Sequence, residues 1–225
     1  MFKKIILSCM AVAAFAAFVL PASASAVTLT DKAGTVKAGA KLLGNVVAGT
    51  EATFVTTGGA GLVHCTTADL NGKVLRNEGG VAEGTISEAK FSGTGAVSAH
   101  NGLNECTGSF GNAYITVELP MCLRAPAGAD TFEAGTEINS KCSEGVGKAE
   151  FIIGSTTAGA CTYTSTNPVT GTFTTGGSVS TLTVNNTQAG SGSTLTSGGF
   201  LCPSSGQLKM SFQASTENGE QIFAS

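Results

Sequence analysis

The residues best suited to covalent chemistry in this chain are its seven cysteines, Cys9, Cys65, Cys106, Cys122, Cys142, Cys161 and Cys202. Cys9 falls inside an export leader, which leaves six. An even set in an exported chain reads as a disulfide framework. No C-x-x-C pair and no Cys/His cluster of zinc spacing accompanies them, so a metal role is not expected. Sequence alone allows many pairings, and one regularity narrows them: Cys65 to Cys106 and Cys161 to Cys202 both span 41 positions. The spacing predicts Cys65–Cys106 and Cys161–Cys202 as equivalent bridges, with Cys122–Cys142 closing the loop between them.

Acid–base chemistry has few candidates. His64 and His100 are the only histidines, and a Cys65–Cys106 bridge would bring them to one end of a sheet. A secreted hydrolase using His64 or His100 with an acidic partner is therefore one alternative. No G-x-S-x-G elbow exists, since Gly190-Ser191-Gly192-Ser193 lacks its spacing. The densest acidic stretch (Glu118, Asp130, Glu133, Glu137, Glu144 and Glu150) lacks a calcium-loop pattern and reads as a solvated face. Sugar chemistry has little aromatic support, with no Trp and 2 Tyr. Gly58-Gly59-Ala60-Gly61 lacks the Gly-Lys-Ser/Thr ending of a phosphate loop. Neither a catalytic, a cofactor-binding nor a metal-ligating set is expected, and no cofactor is implied.

These residues must be positioned by a chain of unusual composition. Only 12% of its 225 residues are charged, 31 are glycine, and the net charge is −3. Without a basic run, nucleic acid is not an expected partner. Gly and Thr are poor helix formers, which disfavours long helices. Lys3 and Lys4, the apolar run Ile5–Leu20 and the small residues Ala24-Ser25-Ala26 make the pattern of a secretory signal peptide over residues 1–26. The expected address is secreted or extracytoplasmic, with no membrane span after cleavage.

Apolar and polar residues alternate throughout Leu208–Ser215, the period of a half-buried strand. Tyr114–Leu119 alternates likewise. Ala52–Thr57, Leu62–Thr67, Gly84–Phe91, Lys148–Ile153, Ala160–Ser165, Val169–Thr175 and Ser178–Val184 are further strand candidates rich in Thr, Val, Ile and Phe. Asn71-Gly72, Asn101-Gly102 and Asn218-Gly219 suit tight hairpin turns, while residues 190–199 read as a mobile surface loop. The expected fold is an all-β, disulfide-stapled antiparallel β-sandwich, Ig-like or jelly-roll-like. It forms one domain over 27–225, with two pseudo-equivalent halves at 27–125 and 136–225.

Cys65-Thr66-Thr67 running to Val74, Gly84-Thr85-Ile86 leading to Phe91-Ser92-Gly93, and Leu201-Cys202-Pro203 before Gln207-Leu208-Lys209-Met210 together carry a resemblance. The chain resembles a group of exported, β-rich, mostly uncharacterised bacterial proteins common in actinobacteria. It is more distantly similar to the protein activator of alkane oxidation family. That resemblance implies export and a cell-surface or biofilm-matrix role, and it brings no catalytic residues. The leading functional expectation is a non-enzymatic surface, matrix or binding component whose partners are cell-surface or matrix components. A second alternative is an extracellular carrier of small apolar ligands, which requires an interior cavity lined by Leu, Phe and Val.

Overall fold

Period-two alternation buries one face of each strand but leaves open what that face packs against. A computed structural model answers this for residues 27–56, 61–93, 106–109, 111–127, 130–155, 159–173, 181–185 and 192–224. Its strands are β1 (Leu29–Asp31), β2 (Gly34–Thr35), β3 (Lys41–Val46), β4 (Ala52–Thr56), β5 (Gly61–Cys65) and β6 (Thr67–Glu78). Next come β7 (Val81–Ser92), β8 (Cys106–Gly108), β9 (Gly111–Val117), β10 (Met121–Ala125), β11 (Thr131–Ile138) and β12 (Lys141–Val146). The last seven are β13 (Glu150–Ser155), β14 (Gly159–Ser165), β15 (Val169–Phe173), β16 (Thr181–Asn185), β17 (Ser193–Ser197), β18 (Ser205–Thr216) and β19 (Phe223–Ala224). No helix occurs among the described residues.

The fold is all-β, but the expected sandwich is not formed. Strand β18 pairs with β16 and β17 on one edge and with β3 and β4 on the other, so the sheet closes on itself. Hydrogen bonding then runs without a break through β3, β6, β7, β10, β11, β15, β16 and back to β18, an eight-stranded antiparallel barrel. A second ring through β4, β5, β8, β9, β13, β14, β17 and β18 has the same chain order. The two rings share β18 and are the two ends of one barrel, with β3 leading into β4, β5 into β6, β9 into β10 and β14 into β15. Closure removes the free edges that a sandwich would retain. Both sequence halves contribute staves to this one lumen.

Two local expectations are also corrected. Asn71-Gly72 is not a hairpin turn: β6 runs through it, and the register shifts there as a bulge against β7. A Cβ at Gly72 would sit 1.9 Å from the Thr85 carbonyl oxygen, so this glycine is needed for close strand approach, not for a turn. Residues 190–199 are not simply a loop, because β17 occupies Ser193–Ser197 and pairs with β14. Asn218-Gly219 does turn the chain: Gly219 has φ 77° and donates to the Thr216 carbonyl. Asn101-Gly102 lies outside the described residues.

Alternation assigns apolar residues to the lumen and polar ones to the exterior. On β18, Leu208 and Phe212 are buried while Gln207, Lys209, Ser211 and Gln213 look outward. On β14, Cys161 and Tyr163 are buried between outward Thr162 and Thr164. This is the reverse of an outer-membrane barrel, which turns an apolar band outward. Two accessories complete the fold. The small sheet β19-β1-β2 closes one end, and the β11–β12 hairpin folds outside the barrel over β7 and β10, tied down by Cys122–Cys142.

Candidate functional site: the hollow end of the barrel

An eight-stranded barrel is just wide enough to be filled by its own side chains or to hold one small ligand. This barrel does one at each end. Around β4, β13 and β14 the lumen is plugged by aromatic rings. Phe54 lies 4.8 Å from Tyr163 and 6.4 Å from Phe151, centroid to centroid. The Phe54 ring crosses to lie over Gly206, where a Cβ would be 2.1 Å from its Cε1 atom. Tyr163 donates its hydroxyl to the Pro203 carbonyl at 3.1 Å, and its burial raises the phenol pKa.

Toward the β19-β1-β2 cap the rings give out. Leu42, Leu70, Ile86, Leu123, Phe132 and Phe212 form the walls of a cavity, and Val27, Leu29, Ile222 and Ala224 close it from the cap. About 90 Å³ is open to the centre of a water-sized sphere, roughly six times or more what one water requires. A smaller space of about 30 Å³ continues along the axis past Leu70, Ile86, Leu123, Phe132 and Phe212, reaching Met121 and Met210.

Small residues create this space. Gly44 and Gly84 face the lumen, and a Cβ on either would come within 3.2 Å of Leu70 Cβ or Leu42 Cδ1 respectively. Ala82, Ala125 and Ala214 stand at neighbouring wall positions. Charge is kept outside. Glu83 and Arg124 pair with each other on the outer side of β7 and β10, 3.4 Å apart. Asn71 turns its amide to Glu88. Glu83 and Arg124 border the cavity, and among its described lining residues they are the only charged ones.

The cap is pinned by one side chain. Asn77, near the end of β6, accepts from the Leu29 amide at 2.8 Å and donates to the carbonyls of Leu29 and Val36 at 2.7 and 2.8 Å. Val36, Val74 and Ile222 pack together beside it.

The other sequence candidates do not converge. His64 lies on the outer face of β5, paired in register with Thr53 and Thr107. Its Nδ1 is 3.0 Å from Glu51 Oε2, with both side chains well exposed. His100 lies outside the described residues. The acidic stretch disperses: Glu144 meets Asn139 and Lys141, Glu133 sits opposite Arg124 and Thr170, and Glu150 sits opposite Thr164. Cys122, Cys142 and Glu137 lie close enough to suggest a metal site. The two sulfurs are bonded to each other, however, and have no thiolate to offer.

The disulfides are Cys65–Cys106, Cys122–Cys142 and Cys161–Cys202, the pairing expected from spacing. Three such bonds fit an oxidising, extracytoplasmic compartment. No family model, curated protein or solved structure matches this chain. The carrier alternative required such a hollow but named none of its lining residues, because leucines and phenylalanines around a cavity look like any core in the sequence. The one available signal was glycine and alanine at lumen positions in β3 and β7.

Proposed function

We propose that this protein is exported through its leader and, without catalysing a reaction, holds one small uncharged apolar molecule in the hollow end of the barrel. The observation that carries this reading is the cavity walled by Leu70, Leu123, Phe132 and Phe212, with the neighbouring charges turned outward. Apolar walls reward transfer of hydrocarbon from water, at about 25 cal/mol per Å². A carboxylate or ammonium placed there would lose its hydration with nothing in return. Specificity therefore excludes charge and limits size. The leader and the three disulfides support the extracytoplasmic address. The hydrolase reading draws little support from an exposed His64–Glu51 pair on the outer wall, away from the hollow.

Calorimetric titration of the oxidised protein, leader removed, with toluene and separately with benzoate tests the reading. Toluene is expected to bind with a negative heat-capacity change, and benzoate is not. Ala125→Leu, which grows a side chain into the cavity, is expected to weaken toluene by about tenfold or more. Absence of toluene binding, or binding indifferent to Ala125→Leu, would refute it.

A further inference from the structure

The barrel's charges are distributed unevenly. From Phe151 to Leu208 the chain contains no Asp, Glu, Lys, Arg or His. That span supplies β14, β15, β16 and β17, which pair as neighbours, β14 with β17 and β15 with β16. Strand β9 beside β13 is also without charge. The strands β14, β15, β16 and β17 are therefore uncharged throughout, while β6, β7, β10 and β11 together carry ten Asp, Glu, Lys and Arg residues.

Where β9, β13, β14 and β17 form the wall, side chains are arranged about one aromatic. Tyr114 looks outward between buried Ala113 and Ile115. Its ring lies over Gly154 of the next strand, where a Cβ would sit 2.1 Å from Tyr114 Cζ. Only glycine at 154 lets the ring settle against the sheet. Beside it the register aligns Thr116, Ile152, Thr162 and Ser197 in one row across four strands. A second row runs Glu150, Thr164, Thr194 and Ser205, with the carboxylate at its β13 margin. Adjacent positions in such rows are about 4.8 Å apart. Thr196 donates to the Thr162 carbonyl and lies 3.4 Å from the Thr164 hydroxyl.

We infer that this wall binds a neutral polysaccharide chain, with Tyr114 as the platform for a sugar ring and the threonine rows as its hydroxyl partners. An aromatic ring offers an apolar face to the C–H side of a sugar and a polar edge to its hydroxyls. Threonine hydroxyls both donate and accept, matching a polymer that does the same. Uncharged strands suit an uncharged polymer, because no ion on them must be stripped of water when the two meet. An anionic polymer would find no cation here. This inference is independent of the apolar cavity, which opens toward the other end.

Affinity electrophoresis of the native, oxidised protein through gels containing β-glucan, galactomannan or hydroxyethyl cellulose tests it, with alginate as the anionic control. At least one neutral polymer is expected to retard the protein. Tyr114→Ala should weaken that retardation by about tenfold, as loss of an anchoring aromatic does. Tyr114→Phe keeps the ring and should keep the binding. The isosteric pair Thr162→Val/Thr194→Val should lose it while melting at the wild-type temperature, which separates binding from folding. Ala125→Leu should leave it unchanged. Retardation by alginate alone, by no polymer, or equally in Tyr114→Ala would overturn the inference.

Discussion

Asn77 holds both backbone polar groups of Leu29, accepting from the amide at 2.8 Å and donating to the carbonyl at 2.7 Å. With its third bond, to Val36, this one side chain fastens the strand that covers the hollow. Replacing it with alanine leaves the Leu29 and Val36 groups to find water. Asn77→Ala is expected to cost about 1–3 kcal/mol and to speed amide hydrogen exchange at Leu29 much more than in β13. Equal exchange rates in variant and parent would show that the cap is held by packing alone.

Glu83 is almost fully buried on the outer side of β7, and Arg124 is its charged neighbour. Removing the cation strands a buried carboxylate, whereas removing both leaves an apolar contact. Arg124→Met is expected to destabilise by on the order of 3 kcal/mol, and Glu83→Leu/Arg124→Met to recover most of that loss. Chemical denaturation of the two variants checks the sign of the coupling.

The phenol pKa of Tyr163 is raised by burial, which fixes a direction for alkaline stability. Below a pH of about 10, folded and unfolded tyrosine are both neutral and the group contributes no slope. Above it the unfolded phenol ionises first, the unfolded state binds fewer protons, and stability falls. Tyr163→Phe is expected to lose about 1 kcal/mol near neutrality with its bond to Pro203. Urea unfolding between pH 8 and 11 should then show a shallower alkaline decline in the variant.

The three disulfides differ in access. Cys65 and Cys106 are buried and face each other across β5 and β8, and Cys122 and Cys142 are buried beneath the outer hairpin. Cys202 lies in the partly exposed turn after β17. Graded reduction followed by peptide mapping is expected to open Cys161–Cys202 first and Cys65–Cys106 late. Loss of a bridge closing 41 residues should destabilise by about 4 kcal/mol in the chain-entropy view.

Strand content and bridge pairing were legible in the sequence because both depend on local spacing. Leu208–Ser215 alternates cleanly and lies within β18, and the repeated interval of 41 picked out two bridges correctly. Closure was not legible. Alternation at Phe212 or Ile115 says that one face is dry, but a sandwich and a barrel dry the same face. What decides is that β18 bonds to β3 and β16 at once, a contact between distant segments. Gly72 misled for a related reason: a glycine after asparagine suits a turn, yet here it accommodates the Thr85 carbonyl at a bulge. Strand β3 was missed because Lys41-Leu42-Leu43-Gly44-Asn45-Val46 does not alternate.

The most direct test is a crystal of the oxidised protein, leader removed, held under xenon pressure, since xenon reports dry apolar space. Density is expected beneath the cap, between Leu123, Phe132 and Phe212, and is expected to vanish in Ala125→Leu. A hollow filled by the protein's own side chains, or xenon seated only outside the barrel, would contradict the account.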